Sequence, residues 1–452
     1  MNRNKLTKRF LLLSAALTMA LGQSAFAGET VALNLDDAML RAFQTNPTVS
    51  IAQYELDSAR ASYNAARQSG ISISANHDSN RSGNNDAPKN ITNTHSNTLT
   101  AALPIFTGGK LSGSIKQAKA NYQYNEVGVQ RTYNEMRSTV TDGYFNMLQA
   151  DNIQKLSAES VTRLEDHLKN VQAQYDVGVV AKVDVLRSQV ELANAKQTLI
   201  QAENAYQVAE ANMNKIVGLP MDTTLKLDNL LVYNAYDKNM DDCLAYAAEH
   251  RPELMQAKYG VDAAKGALLV ARSGHMPQVS ASATQALGSD HWLGDNRTKW
   301  YAGINVKMNV FDTGVTLSKI HGAEADLKKA EATYRDTVNA VNLDVRSNYL
   351  GLREAEKRIS TTKLADEDYR IAQLRYMSGV GTNTDVLDAQ VALTQAKTNY
   401  TKALYDYNTS KTALETSIGV PMSNPATAVK VQAAKTAKAV KAAEEKTEEA
   451  AK

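Results

Sequence analysis

From Trp300 to Val310 the chain alternates, with Trp300, Ala302, Ile304, Val306, Met308 and Val310 separated by Tyr301, Gly303, Asn305, Lys307 and Asn309. Successive residues of a strand point to opposite faces, so this stretch predicts a strand with one apolar and one polar face. Its length is about what a strand needs to cross a bilayer. The same period runs through Ile71-Ser72-Ile73-Ser74-Ala75-Asn76 and Val279-Ser280-Ala281-Ser282-Ala283-Thr284, and more weakly through Leu99, Ala101, Leu103 and Ile105. Two polar stretches, SNRSGNNDAPKN after Asp78 and GSDHWLGDNR after Leu287, are expected to be the loops that join the strands in pairs.

Elsewhere the period changes. Leu192, Ala195, Leu199, Ala202, Tyr206, Ala209, Met213 and Ile216 are spaced alternately three and four apart, as are Leu393, Ala396, Tyr400, Ala403, Tyr407, Ser410, Leu414 and Ser417. A sustained 3.5-residue repeat predicts long helices in left-handed coiled packing, with the small Ala and Ser positions allowing close approach. Helices are also expected from about Lys110 to Tyr175 and from Val315 to Met377; the first would be roughly 100 Å long at 1.5 Å per residue.

These elements occur twice. YDVGVVAKVDVL at Tyr175 returns as YMSGVGTNTDVL at Tyr376, and VGLPM at Val217 as IGVPM at Ile418, all at an offset of 201. Upstream, Asn46-Pro47 meets Arg251-Pro252, IFTGG at Ile105 meets VFDTG at Val310, and Tyr144 meets Tyr349, at an offset of 205. The chain is a tandem duplication, with four extra residues, about one helical turn, in the first copy. Each copy reads as a helix, a strand pair and two long helices.

Composition and charge narrow the class. Only 8 Pro and 6 Phe in 452 residues favour long helices over compact mixed domains. Lys5, Lys8 and Arg9 precede the apolar run Phe10–Leu21 and the small-residue site SAFAGET, so 1–27 is expected to be a signal peptide cleaved after Ala27. The leader holds four positive and no negative charges, which takes the formal charge from +2 to about −2 and argues against nucleic acid as a partner. Cys243 is the sole cysteine, so no internal disulfide forms. No later run is long and apolar enough for a membrane helix, and a chain that enters a membrane does so here with strands. A soluble sheet with one wet face shows the same alternation. Export, and rods too long to fold over the hairpins, favour the membrane. Four strands cannot close a barrel, and an open edge is not tolerated in lipid, so several chains must pool their strands.

The duplicated unit, LPIFTGGKL at Leu103, YDVGVVAKVDVLRSQVELANAK at Tyr175 and YMSGVGTNTDVLDAQVALTQAK at Tyr376 resemble the TolC-type outer-membrane efflux proteins from about Thr30 to Met422. The resemblance implies a mostly α fold with a transmembrane β portion: a homotrimer whose long helices form an α-helical barrel across the periplasm and whose strands share one 12-stranded β-barrel in outer-membrane lipid. It also implies the function of a passive exit duct in a tripartite efflux or type I secretion system. The partners would be a periplasmic adaptor (membrane fusion protein) and an inner-membrane efflux pump or ABC transporter. The organisation expected is a signal peptide at 1–27, a first repeat at 28–220, a connecting, equatorial segment at 221–238, a second repeat at 239–422 and a low-complexity tail at 423–452.

Ile71, Ile73, Leu99, Leu103, Val279, Ala281, Trp300, Ile304 and Val306 are expected on the membrane strands. Trp292 and Trp300 lie where aromatic rings favour the membrane interface. The two repeated turns are expected at the periplasmic tip, with Gly178 and Gly379 in the left-handed position that ends a helix and Asp184 and Asp385 at the N-cap or in the first turn of the next. By resemblance the adaptor docks on these turns, at Gly178, Val179, Asp184, Gly379, Val380 and Thr384. Also by resemblance, Asp385 and Asp388 match a pair of carboxylates that narrow the entrance. Three chains would gather six carboxylates, whose repulsion should raise some pKa values and whose field should attract cations. Arg187 stands in the first copy where Asp388 stands in the second. One departure is that a basic residue used in the family to latch the closed mouth is replaced by Gly381 or Asn383.

His77, His95, His167, His250, His275, His291 and His321 lack metal-site spacing and are expected on the surface or in loops. No phosphate loop, nucleophile elbow or zinc-protease motif is present, so neither enzyme activity nor a cofactor is expected. The rival from another class is a periplasmic coiled-coil adaptor or scaffold without a pore.

Overall fold

The computed structural model describes residues 30–84, 87–228, 231–289, 297–359 and 365–420. The leader, the low-complexity tail, part of the second hairpin loop with His291 and Trp292, and 360–364 within the stretch expected to be helical from Val315 to Met377 lie outside these residues. In chain order the elements are β1 (Val31–Leu33), α1 (Leu35–Thr45), α2 (Pro47–Gln68), β2 (Ser72–Asn84), β3 (Ala87–Phe106), α3 (Lys110–Asp176) and α4 (Lys182–Val217). The second half follows with β4 (Leu225–Leu227), α5 (Met240–His250), α6 (Pro252–Arg272), β5 (Gln278–Ser289), β6 (Arg297–Lys307), α7 (Val315–Ile359), α8 (Ala365–Met377) and α9 (Asn383–Ser417). The duplication is visible in this order, since α2-β2-β3-α3-α4 is repeated by α6-β5-β6-α7-α8-α9. The helix expected over Lys110–Tyr175 runs 67 residues, to Asp176. Contacts divide the described chain into two compact units, one of 30–45, 139–233 and 355–409, the other of 46–138, 234–354 and 410–420.

The second of these units carries the membrane candidate, a four-stranded sheet in the order β2-β3-β5-β6 with every neighbour antiparallel. Its register sorts the side chains by face. One cross-strand row reads Ile73, Ala101, Ala283, Ala302, and the next Ala75, Leu99, Gln285, Trp300. Leu103, Ala281 and Ile304 form a third row, and Val279 with Val306 a fourth. The opposite face reads Ser72, Ala102, Ser282, Gly303, then Ser74, Thr100, Thr284, Tyr301, with Lys299, Asn305 and Lys307 on β6. Apart from Ile71, every residue expected on a membrane strand lies on the first face, and Trp300 (76%) and Ile304 (70%) stand open in the single chain.

Three strand expectations need correction. Ile71 lies one residue before β2. β6 stops at Lys307 instead of reaching Val310, because its last partner is Gln278 and Pro277 before it has no N–H to continue the ladder. The stretch after Asp78 is not all loop: Ser79 through Ser82 stay paired, with Ser82 opposite Thr92, and after a shift of register Asn84 pairs with Ala87. The β-branched Thr92, Thr94, Thr98 and Thr100 favour extended backbone, and a polar ladder satisfies its own N–H and C=O groups as well as water does.

Helices flank the sheet in the same unit. α2 and α6 both begin with Pro, whose missing N–H costs nothing in a first turn; Asn46 caps α2 by accepting from Thr48 N at 3.0 Å. Arg251 fixes the start of α6 through Glu253 (2.6 Å) and, across to α7, Asp344 (2.8 Å). α3 and α6 cross at Gly113 and Gly266: a Cβ on Gly113 would sit 2.8 Å from the Gly266 carbonyl oxygen, so only glycine lets the backbones come so close. Cys243 is buried, and its sulfur lies 3.6 Å from the Tyr236 hydroxyl.

In the other unit the heptad pattern holds. Ala202, Ala209 and Met213 are buried and Leu192, Ala195, Leu199, Tyr206 and Ile216 partly so, while most of the residues between them are exposed. In the part of α9 that belongs to this unit, Leu393, Ala403 and Tyr407 are buried, but Tyr400 is exposed and Thr401 and Leu404 are buried in its neighbourhood. Leu414 and Ser417, also buried, belong to the sheet-bearing unit. β1 and β4 pair in parallel, from Val31 opposite Leu225 to Leu33 opposite Leu227. Strands of three residues leave no periodic signal, so this pair has no mark in the sequence pattern. Tyr144 is fully buried there, its hydroxyl donating to the carbonyls of Asp228 (2.9 Å) and Leu33 (3.3 Å); burial pushes that phenol up to about 12.

Candidate functional site

The two repeated turns lie in one unit, and both end a helix in the same way. Gly178 N donates to Tyr175 O (2.9 Å) and Val179 N to Gln174 O (2.8 Å); in the second copy Gly379 N donates to Tyr376 O and Val380 N to Arg375 O, both at 3.0 Å. This closure needs a left-handed residue after the helix, and Gly178 (φ 80°) and Gly379 (φ 75°) supply it. Open space surrounds Gly379, so Gly379→Ala isolates the backbone strain. It should cost about 1 kcal/mol locally and speed amide exchange of 374–382 several-fold without disturbing the rest of α8. Unchanged exchange would mean that the turn is not held in this conformation. Val179 (71%) and Val380 (72%) stand exposed at the crests.

The copies differ in how the next helix starts. Ala181 precedes α4 without a side-chain cap, and Asp184 sits in the first turn. At α9, Thr382 and Asp385 cap each other: Thr382 N donates to Asp385 Oδ2 (2.9 Å) and Asp385 N to Thr382 Oγ1 (3.2 Å). The Thr382 N–H, and then its hydroxyl, hold the Asp385 carboxyl below the ordinary carboxylate range. The rise expected from clustered carboxylates is therefore not a property of the single chain, where hydrogen bonds to the charged form dominate. Asp388, one helical turn on, is exposed beside Asp385, as their spacing of three requires. Arg187 in the first copy donates to Thr384 Oγ1 at 3.1 Å and so links the two tips.

Beneath the turns lies a group that the sequence reading missed. Val171, Val185, Tyr376 and Val386, one from each of the four helices, form a buried cluster. His167 (9%) is buried against it, which corrects its expected place on the surface; its Nε2 lies 2.6 Å from Asn383 Oδ1 and its ring 5.4 Å from that of Tyr376. Burial lowers the His167 pKa, against the raising effect of the Asn383 hydrogen bond. Asn383 (4%) also donates from Nδ2 to Asp184 O at 3.2 Å. Asn383, one of the two residues expected in place of the family's basic latch, is thus a buried amide. Seven residues along each helix, Gln390 Nε2 donates to Ser160 Oγ (3.4 Å). A signal was present: Asn383 and Gln390, and likewise Ser160 and His167, are one heptad apart. Among the described residues no three His, Cys, Asp or Glu side chains gather as metal ligands.

The model of the outer membrane efflux protein family matches residues 39–219 and 244–420. The chain belongs to that family. It is an outer-membrane protein of efflux, and the pore-less periplasmic scaffold loses its support. The outer membrane protein TolC of Vibrio cholerae is 26% identical over 295 residues, covering 62% of this chain and 66% of that protein, just under two thirds of its length. TolC of Escherichia coli is 22% identical over 427 residues, covering 89% of this chain and 85% of its own. A probable efflux pump outer membrane protein, TtgC of Pseudomonas putida, is 23% identical over 387 residues, with 80% and 78% covered. Among solved structures, the outer-membrane channel OprN superposes with a TM-score of 0.75 at 18% identity, over 85% of this chain and 89% of that one. CusC superposes with a TM-score of 0.75 at 17% identity, over 88% and 95%. At those identities the superpositions establish the fold alone.

Proposed function

We propose that three copies of this chain close their strands into one 12-stranded barrel and act as a passive exit duct. The observation that carries this is the sheet itself. Its apolar face is exposed, and among the described residues β2 and β6 are each paired on one side only. In lipid an unpaired strand edge costs several kcal/mol for each unsatisfied group, so the edges must meet another copy. The four residues on the membrane-facing rows of β6, Trp300, Ala302, Ile304 and Val306, then meet lipid, and Lys299, Asn305 and Lys307 line the lumen.

The tip turns are the docking surface for a periplasmic adaptor, and an inner-membrane pump supplies the energy; the duct itself catalyses nothing. Val179 and Val380 are the apolar crests available for that contact, flanked by Gly178, Asp184, Gly379 and Thr384. Asp385 and Asp388 form the carboxylate ring at the entrance. The test is binding of the detergent-solubilised assembly to its purified adaptor. Val179→Asp with Val380→Asp should leave the assembly intact and weaken adaptor binding about tenfold or more, the effect of losing a central contact. Unchanged affinity would place the adaptor elsewhere.

A further inference from the structure

We propose that the buried His167–Asn383 pair is the positioning element that seats the gate helix α9, and that it makes this seating depend on pH. The inference rests on the gate assignment of Asp385 and Asp388 and names what holds those residues in place. Asn383 is the first residue of α9, two positions before Asp385. Its Nδ2 donates to Asp184 O on α4, which turns Oδ1 toward His167 on α3. Ser188 Oγ donates to the same Oδ1 at 3.4 Å. An amide oxygen only accepts, so His167 must carry its proton on Nε2. One side chain thereby ties the start of α9 to both helices of the first repeat.

A second proton, on Nδ1, keeps the Nε2 bond but places a full charge beside Tyr376 and the Val171, Val185 and Val386 cluster. Charges around the site are otherwise engaged. On α3, Arg163 lies over the Tyr369 ring of α8 at 5.7 Å, with Asp166 also acting on that tyrosine. On α4, Arg187 bonds Thr384, and the Asp184 charge is felt by Tyr376. On α8, Tyr376 donates to Gln174 Oε1 at 2.7 Å, and Arg375 acts on Asp385; on α9, Asp385 is tied to Thr382. No carboxylate among the described residues hydrogen-bonds the ring, so only the Asn383 hydrogen bond works against the cost of the buried charge.

The sign follows from the lowered pKa of His167 in the fold. Above the ordinary histidine value of about 6.5 the ring is neutral in both states and the seating is complete; it weakens as the pH falls toward and through the lowered value. Farther along α3 and α9 the contact is polar as well, with Gln390, Thr394 and Ser160 hydrogen-bonded to one another. When these helices part, each of those polar groups finds water, which lowers the cost of opening at this level.

The experiment uses the full assembly in planar bilayers, with the tip side taken from pH 7.5 to pH 5.5. The wild type should open, with conductance rising roughly threefold or more. His167→Gln keeps an N–H donor for Asn383 but cannot be protonated, and its conductance should stay level. Asp385→Asn/Asp388→Asn should change ion selectivity, and Asp388→Asn alone, which leaves the Thr382–Asp385 cap intact, should keep the rise. A level wild type, or a His167→Gln protein that opens as the wild type does, overturns the proposal. Deuterium uptake at 378–390, corrected for intrinsic exchange, reads the seating without reference to conduction. It should speed up at pH 5.5 in the wild type, and an unchanged rate overturns the proposal even where His167→Gln does not fold. If the double Asn variant leaves selectivity unaltered while this uptake still follows His167, the gate assignment fails and the seating stands.

Discussion

Ile304→Arg should abolish assembly in the outer membrane, whereas Asn305→Arg, one residue on, should be tolerated. Both positions are exposed in the single chain, so exposure alone does not separate them. The register does. Ile304 stands in a row with Leu103 and Ala281, near the middle of the apolar band, while Asn305 is opposite Ser280 on the polar face. A guanidinium at mid-membrane depth on the lipid side costs about 2–4 kcal/mol for each chain, and a closed trimer takes that cost three times. A lumenal Arg stays in water. The check is the yield of detergent-extracted oligomer from outer membranes for each variant. Equal yields would mean that the two faces see the same medium and that the sheet is not in a bilayer.

Neutralising the entrance carboxylates should have the second large effect. Asp385→Asn/Asp388→Asn is expected to remove most of the cation preference of the duct, moving the reversal potential in a salt gradient toward zero. The two residues are not equivalent. Asp388 is exposed, so Asp388→Asn should change selectivity with little effect on the tip. Asp385 also caps α9 through Thr382, so Asp385→Asn should loosen the tip as well as change the field. Because its carboxyl is held below the ordinary range, the capping contribution is complete above about pH 4 and is lost only as the pH falls through the lower folded value. Unaltered selectivity in the double variant would remove these residues from the conduction path.

What could be read in advance depended on how regular each signal was. Alternation on β6 placed Trp300, Ile304 and Val306 on one face, since a period of two survives any twist of the sheet. It failed at the strand end, where Pro277 on the partner decides the matter and β6 itself carries no mark. The heptads of α4 found the buried side chains because packing repeats along the helix; at Tyr400 of α9 a broader buried face shifted the burial to Thr401 and Leu404. Gly178 and Gly379 announced their turns, because the left-handed region favours glycine over any other residue.

His167 is the instructive miss. Histidines without metal spacing are usually at the surface, and only the fold shows that this one has Asn383, 216 residues away, as its partner. The Thr382–Asp385 cap, by contrast, has a four-residue signature that was legible and was read only on its Asp side. β1 and β4 were beyond reach: each is three residues long, and their pairing depends on long-range packing around Tyr144.

The measurement that bears most directly on the whole account is the mass and outline of the detergent-extracted mature protein, by light scattering and electron microscopy. Three chains per particle, with a detergent belt around one end of a hollow body, is the predicted result. A monomer that needs no detergent would contradict it, because the exposed apolar face and the two unpaired strand edges would then have no lipid and no partner to meet.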